Sequence, residues 1–131
     1  MALDVFSKVP ELKESEYSRF AFEPIRFHKD YGKTLYYFGR SKKFWTLKYP
    51  DVWYNALYMA DVLSRFEFLK DEPLVKDLIK WIVESQTEPG TYEPTSVFIE
   101  YKDWDFSYKK EPLPWITFLC CRILKQYYDK N

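Results

Sequence analysis

Residues 44–57 read FWTLKYPDVWYNAL, and residues 106–119 read FSYKKEPLPWITFL. Laid over one another at an offset of 62 residues, they share Phe44 with Phe106, Lys48 with Lys110, Pro50 with Pro112, Trp53 with Trp115 and Leu57 with Leu119. Self-similarity at a fixed spacing marks a structural unit used twice. Each copy reads as an aromatic-rich lead-in loop followed by a helix that opens at a proline. Proline suits that place because the first helical turn has no use for its missing N–H.

Hydrophobic spacing around these copies predicts three helices. The first spans Pro50 to Leu69. Val52, Ala56, Met59, Ala60, Leu63 and Phe66 share a broad face, which Trp53 and Leu57 widen. Only the arc of Tyr54, Tyr58, Asp61 and Arg65 reads as solvated, so this helix is expected to be packed on several sides. The second spans Pro73 to Gln86, capped by Asp71 or Glu72. Leu74, Val75, Leu78, Ile79, Trp81 and Ile82 form a stripe opposite Lys76, Asp77, Lys80 and Glu84. The third spans Pro112 to Tyr128, with Ile116, Leu119, Cys120, Ile123, Leu124 and Tyr127 inward and Arg122, Lys125 and Gln126 outward. Buried, amphipathic and buried helices in that order predict alternating inner and outer layers.

The N-terminal part gives weaker signals. Pro10 to Phe22 reads as a short helix stopped by Pro24, and residues 29–38 as another ended by Gly39. Thr87 to Glu111 is a connection far above the usual few residues. Inside it Thr95 to Tyr101 alternates as a short strand or hairpin would.

Composition narrows the class. The 131 residues are 47% hydrophobic, 21% aromatic and 31% charged, with 3 Gly, which points to a packed chain of one domain or part of a larger one. Lys+Arg and Asp+Glu each number 20, so the net charge is zero. No basic excess is present to displace counterions, so a nucleic-acid role is not expected. Neither a polybasic patch nor an apolar run of about 20 residues supports membrane binding. The opening MALDVFSKVPELKESEY lacks a signal-peptide core, and Cys120 and Cys121 are adjacent, so a cytoplasmic, reducing location is expected.

Three stretches resemble the α/α-toroid proteins with prenyltransferase and squalene-cyclase-type repeats. KYPDVWYNALYMADVLSRF (48–66) is similar to an inner helix of such a repeat. DEPLVKDLIKWIVESQTEPGTY (71–92) is similar to the outer helix with its Gln-x-x-x-Gly-x-aromatic turn, here Gln86, Gly90 and Tyr92. WDFSYKKEPLPWITFLCCRILK (104–125) is similar to the next lead-in loop and inner helix. The resemblance implies an all-α fold of radially arranged α/α hairpins, with a long aromatic loop between the last two helices. Residues 1–131 would be one helical domain, with 1–45 an N-terminal segment and 46–131 the repeat region. Catalytic members carry an Asp-rich motif or an Asp/Cys/His zinc set. This sequence has neither, so no metal and no cofactor are expected. It holds only about two hairpins, and a partial ring leaves apolar edges for a second chain to cover.

Candidate site residues follow. Trp53, Asn55, Tyr101, Trp104, Trp115 and Thr117 are the ligand-binding candidates. Asn55 and Thr117 are polar positions on apolar helix faces, which must meet something polar. The toroid resemblance implies that Asp often stands where Asn55 does. Asp103 and Asp105, beside Tyr101, Trp104 and Phe106, could serve as an acid/base pair, or could simply pair with lysines while Trp104 and Phe106 pin the loop. Lys48 and Lys110 precede helix starts that repel cations, so salt bridges suit them better than ligand binding. His28 reads as a surface or loop histidine. The expected function is a non-catalytic binding or assembly module that closes its apolar edge by self-association or with a partner protein. A small apolar ligand is a further candidate partner. The competing expectation is an enzyme, or a degenerate one, acting on a polyisoprenoid or glycan through Asp103 and Asp105.

Overall fold

The computed structural model describes residues 2–31, 42–49, 55–104 and 111–129. Six α-helices run through them: α1 (Ala2–Phe6), α2 (Pro10–Lys13), α3 (Glu16–Tyr31), α4 (Ala56–Leu63), α5 (Pro73–Glu84) and α6 (Pro114–Tyr128). Single 3-10 turns occur at Glu67–Leu69 and Ile99–Tyr101. The fold is all-α, and among the described residues only an isolated bridge joins Glu88 and Thr91.

α4 is the centre of the core and packs against α1, α5 and α6. Ala56, Leu57, Met59, Ala60, Val62 and Leu63 are all buried on it. Its start is not a proline. Asn55 has an extended backbone (φ −131°, ψ 176°), and its side chain accepts the Tyr58 N–H at 2.9 Å. That is an N-cap, which satisfies one of the orphan donors of the first turn. Asn55 is thus buried with its amide used on its own helix. The helix stops at Leu63 and the chain turns extended at Phe66, whose ring is fully buried, before the 3-10 turn. The expected helix of Pro50 to Leu69 is therefore shorter at its C-terminal end, and residues 50–54 lie outside the described set.

The two sequence copies do not enter the fold in one register. Asn55 caps α4, whereas its sequence partner Thr117 lies inside α6. Leu57 and Leu119 are buried alike. The partners Pro50, Trp53, Phe106 and Lys110 lie outside the described residues.

α5 follows its sequence reading. Leu74, Val75, Leu78, Ile79 and Ile82 are buried, and Lys76, Asp77, Lys80 and Glu84 are exposed. α6 shows one buried face (Ile116, Leu119, Cys120, Ile123) and one outer face. The turn between α5 and α6 uses the three residues singled out in sequence. The Gln86 side chain accepts the Gly90 N–H at 2.9 Å, and Gly90 takes φ +83°. Only glycine enters that region without cost. Tyr92 then plugs the core at 1% exposure. Its N–H donates to Thr117 Oγ1 (3.1 Å) and its carbonyl accepts the Leu113 N–H (3.1 Å), which fixes the start of α6. Burial pushes the Tyr92 hydroxyl up to about 12, and the Cys120 thiol adds to the rise. The Gln86 amide offsets part of it without closing a hydrogen bond of ordinary geometry.

Four expectations are corrected. Pro24 does not stop a helix. α3 runs through it, because Pro24 and the Phe20 carbonyl it leaves free both sit on the exposed side while Phe22 and Ile25 anchor the other face. The expected helix of Pro10 to Phe22 is split at Glu14 and Ser15 into α2 and α3. Residues 29–31 belong to α3, so His28 is a half-buried helix residue rather than a loop one. Thr95 to Tyr101 is not a strand. Thr95 exchanges two bonds of 2.8 Å with Leu47, and the chain then tightens into the 3-10 turn before a ladder can extend.

Replacing Asn55 with Ala is expected to cost about 1 kcal/mol through loss of the cap, with Asp retaining most of it. Urea unfolding of the two variants checks this. Equal stability of Asn55→Ala and wild type would contradict the capping role.

Candidate functional site

Asp61 is the one charged residue of α4, and Arg65 stands one turn further on, just past the end of the helix. Sequence places them on a solvated arc. In the fold Asp61 is the hub of a polar network, its side chain only 15% exposed. Arg65 Nη2 donates to it at 2.7 Å, and Arg65 Nη1 reaches Asp4 at 2.8 Å and Ser7 Oγ at 2.9 Å, tying α4 to the α1 region. From α6, Arg122 donates to both carboxylate oxygens through Nε (3.2 Å) and Nη2 (2.9 Å). Gln126 Nε2 donates to Ser64 Oγ at 2.9 Å and lies 3.3 Å from the Asp61 carbonyl. Bidentate arginine–carboxylate pairs are among the strongest side-chain hydrogen bonds and fix orientation.

The pair closes one end of a cleft between α4 and α6. Tyr49, Leu57, Tyr58, Asp61, Trp115, Leu119, Arg122 and Ile123 line about 370 Å³. The floor is aliphatic and one wall is aromatic. The Tyr49 ring meets Trp115 edge-on at 5.5 Å, and Trp115 stacks on Phe118 at 5.4 Å. The Arg122 guanidinium lies 5.5 Å from the Phe118 ring centre. Trp115, which lines the cleft, is 40% exposed, and Phe118, stacked on it outside the lining, is 49% exposed. A pocket with an apolar base and a few fixed polar groups is suited to hold an apolar or aromatic group.

A second cleft of about 370 Å³ lies among Lys13, Glu14, Ser64, Arg65, Glu67, Lys70, Gln126 and Asp129. Part of its charge is already committed within it. Lys70 Nζ pairs with Glu67 at 2.8 Å and reaches the Asp129 carbonyl at 3.2 Å, and Glu14 accepts the Glu67 N–H at 3.2 Å.

Of the sequence candidates, Trp115 lies in the α4–α6 cleft. Asn55 caps α4, and Thr117 holds the Tyr92 backbone. Tyr101 ends the second 3-10 turn and Trp104 follows it, with ring centres 4.6 Å apart. Asp103 is exposed beside them and lines neither cleft. Trp53 and Asp105 lie outside the described residues. Lys48 places its ammonium 3.5 Å from the Phe98 ring centre. Cys120 is buried, with burial pushing its thiol far up, and Cys121 is exposed. Among the described residues no group of His, Cys, Asp and Glu could hold a metal ion, and no helix is long and apolar enough to cross a membrane.

Sequence reasoning missed Asp61, Arg122, Tyr49 and Tyr58 as site residues. The available signal was a matched spacing. Asp61 and Arg65 on one helix, and Arg122 and Gln126 on another, each stand four residues apart. No family model, curated protein or solved structure matches this chain.

Asp61→Ala leaves two partly buried guanidiniums without their shared acceptor and should cost about 2–3 kcal/mol, read as a lower urea midpoint. Asp4 adds a pH signature. Burial opposes its ionisation, but hydrogen bonds from Arg65 and Lys8 and their charges outweigh that and hold it below its ordinary 3.8. A depressed folded value means that ionised Asp4 stabilises the fold above 3.8, and that this is lost as pH falls through the lower folded value. Asp4→Asn should therefore be less stable than wild type at about pH 7, with the gap closing as pH falls below 3.8. A gap that does not shrink with acid would refute this linkage.

Proposed function

We propose that this chain is a non-catalytic binding and assembly module that covers its apolar surface by self-association. The observation that carries the reading is the Trp115–Phe118 stack, two large exposed rings of which Trp115 lines an apolar cleft whose arginine is held in place by Asp61. Exposed aromatics beside an apolar pocket, with arginine at the rim, have the composition of an interface core. Kinship with the α/α-toroid repeats belongs to the same proposal, and the formed Gln86–Gly90–Tyr92 turn supports it. A reducing, cytoplasmic location also belongs to it, supported by two free thiols. A small apolar ligand would use the same cleft.

Light scattering during size exclusion, over a concentration series, tests the reading. Wild type should show a mass above that of one chain. Phe118→Glu should shift it to a monomer with unchanged helical circular dichroism. A strict monomer for wild type at every concentration would sink self-association.

A further inference from the structure

Trp115, Leu119, Arg122 and Ile123 recur at helical spacing along one face of α6, and all of them line the cleft against α4. The face is graded. Trp115 stands at one end, Leu119 and Ile123 make an aliphatic floor, and Arg122 stands about 10 Å further along the helix axis than Trp115. Tyr49 meets the tryptophan, and Asp61 meets the arginine. Arg122 uses Nε and Nη2 on Asp61, which leaves Nη1 without an acceptor among the described residues. The connected ion pairs hold three cations, Lys8, Arg65 and Arg122, against two carboxylates, Asp4 and Asp61. Lys8 ends this cluster in solvent, and Arg122 ends it in the cleft.

We infer that the α4–α6 cleft is a site for a small arylalkanoic acid, with its ring against Trp115 and its carboxylate, on a short arm, against Nη1 of Arg122. This deepens the small-ligand reading of the cleft and rests on it. Size sets the first limit. The volume of about 370 Å³ is at the lower end of small-molecule sites, which suits one ring and a short arm. Spacing sets the second. The aromatic and cationic groups stand apart along α6, so the ligand needs its ring and its polar group apart as well. Hydrogen bonding sets the third. An occupant that covers Arg122 strips water from the Nη1 donor, and a donor buried without an acceptor costs free energy. A plain hydrocarbon carries that cost. A carboxylate removes it and gains a charge-assisted bond. It also joins a cluster that has a cation to spare. A cationic ligand would find Asp61 already accepting from Arg65, Arg122 and Gln126.

Titration calorimetry on the full chain tests this with 4-phenylbutyrate, its neutral amide, and butyrate, which keeps the acid without the ring. The most dilute samples are used, where association competes least for the cleft. 4-Phenylbutyrate should bind about tenfold more tightly than either of the others, the worth of one charge-assisted bond or one ring contact. Arg122→Lys keeps a charge for Asp61 but has no second arm, so it should bind the acid only as weakly as the amide, with unchanged helical circular dichroism. If that variant fails to fold, the three probes on wild type decide alone. Equal affinity for acid and amide, or wild-type affinity for the acid in folded Arg122→Lys, overturns the inference and leaves a small apolar ligand in the cleft. No binding of any probe overturns both. Acetyl-glycyl-phenylalanine ends in the same ring and carboxylate. Tighter binding of that peptide than of 4-phenylbutyrate would assign the cleft to a chain terminus and also overturn the inference. Light scattering keeps self-association separate: a protein that associates but ignores the acid loses this inference alone, and a monomer that binds the acid loses self-association alone.

Discussion

The carboxylate of Asp61 holds the arrangement together. It is the one acid on a helix otherwise committed to the core, and its largely buried carboxylate gathers Arg65, Arg122 and Gln126. Apolar packing between α4 and α6 is strong but not directional, and aliphatic surfaces tolerate sliding by a fraction of a turn. A bidentate arginine does not. The pair fixes the rotation of α6 about its axis, and that rotation sets where Trp115 and Phe118 emerge. Through Arg65 the same carboxylate is joined to Asp4, so the N-terminal helix is tied to the register of the C-terminal one.

Periodicity made the helices legible where one face alone was buried. α5 is the clear case, since its apolar and charged sides divide as a wheel divides them. α4 was legible as buried, but its solvated arc was not what it looked like. A wheel shows that Asp61 and Arg65 leave the apolar side; it cannot show that arginine and glutamine from a helix some sixty residues away will cover them. Asn55 was legible as a polar group needing a partner. Its use as a cap was hidden because Pro50 offered itself as the helix start. Pro24 failed as a stop signal because proline is tolerated where the carbonyl it frees faces water. Thr95 to Tyr101 had the alternation of a strand but no edge to join beyond Leu47.

The site was less legible than the fold. Trp115 was found because the self-match drew attention to it. The rest of the cleft comes from Tyr49 in a loop, Tyr58 and Asp61 on α4 and Arg122 on α6, and no local pattern links them.

Gly90 carries a different kind of constraint. A side-chain carbon built there meets nothing within 4 Å, yet its backbone lies at φ +83°. The turn therefore selects by handedness and not by bulk. Size is no obstacle in that open space, but an L-residue must adopt the mirror-image half of torsional space. Asparagine, which tolerates that region better than other non-glycine residues, is the natural exchange, whereas compact alanine gains nothing from being small.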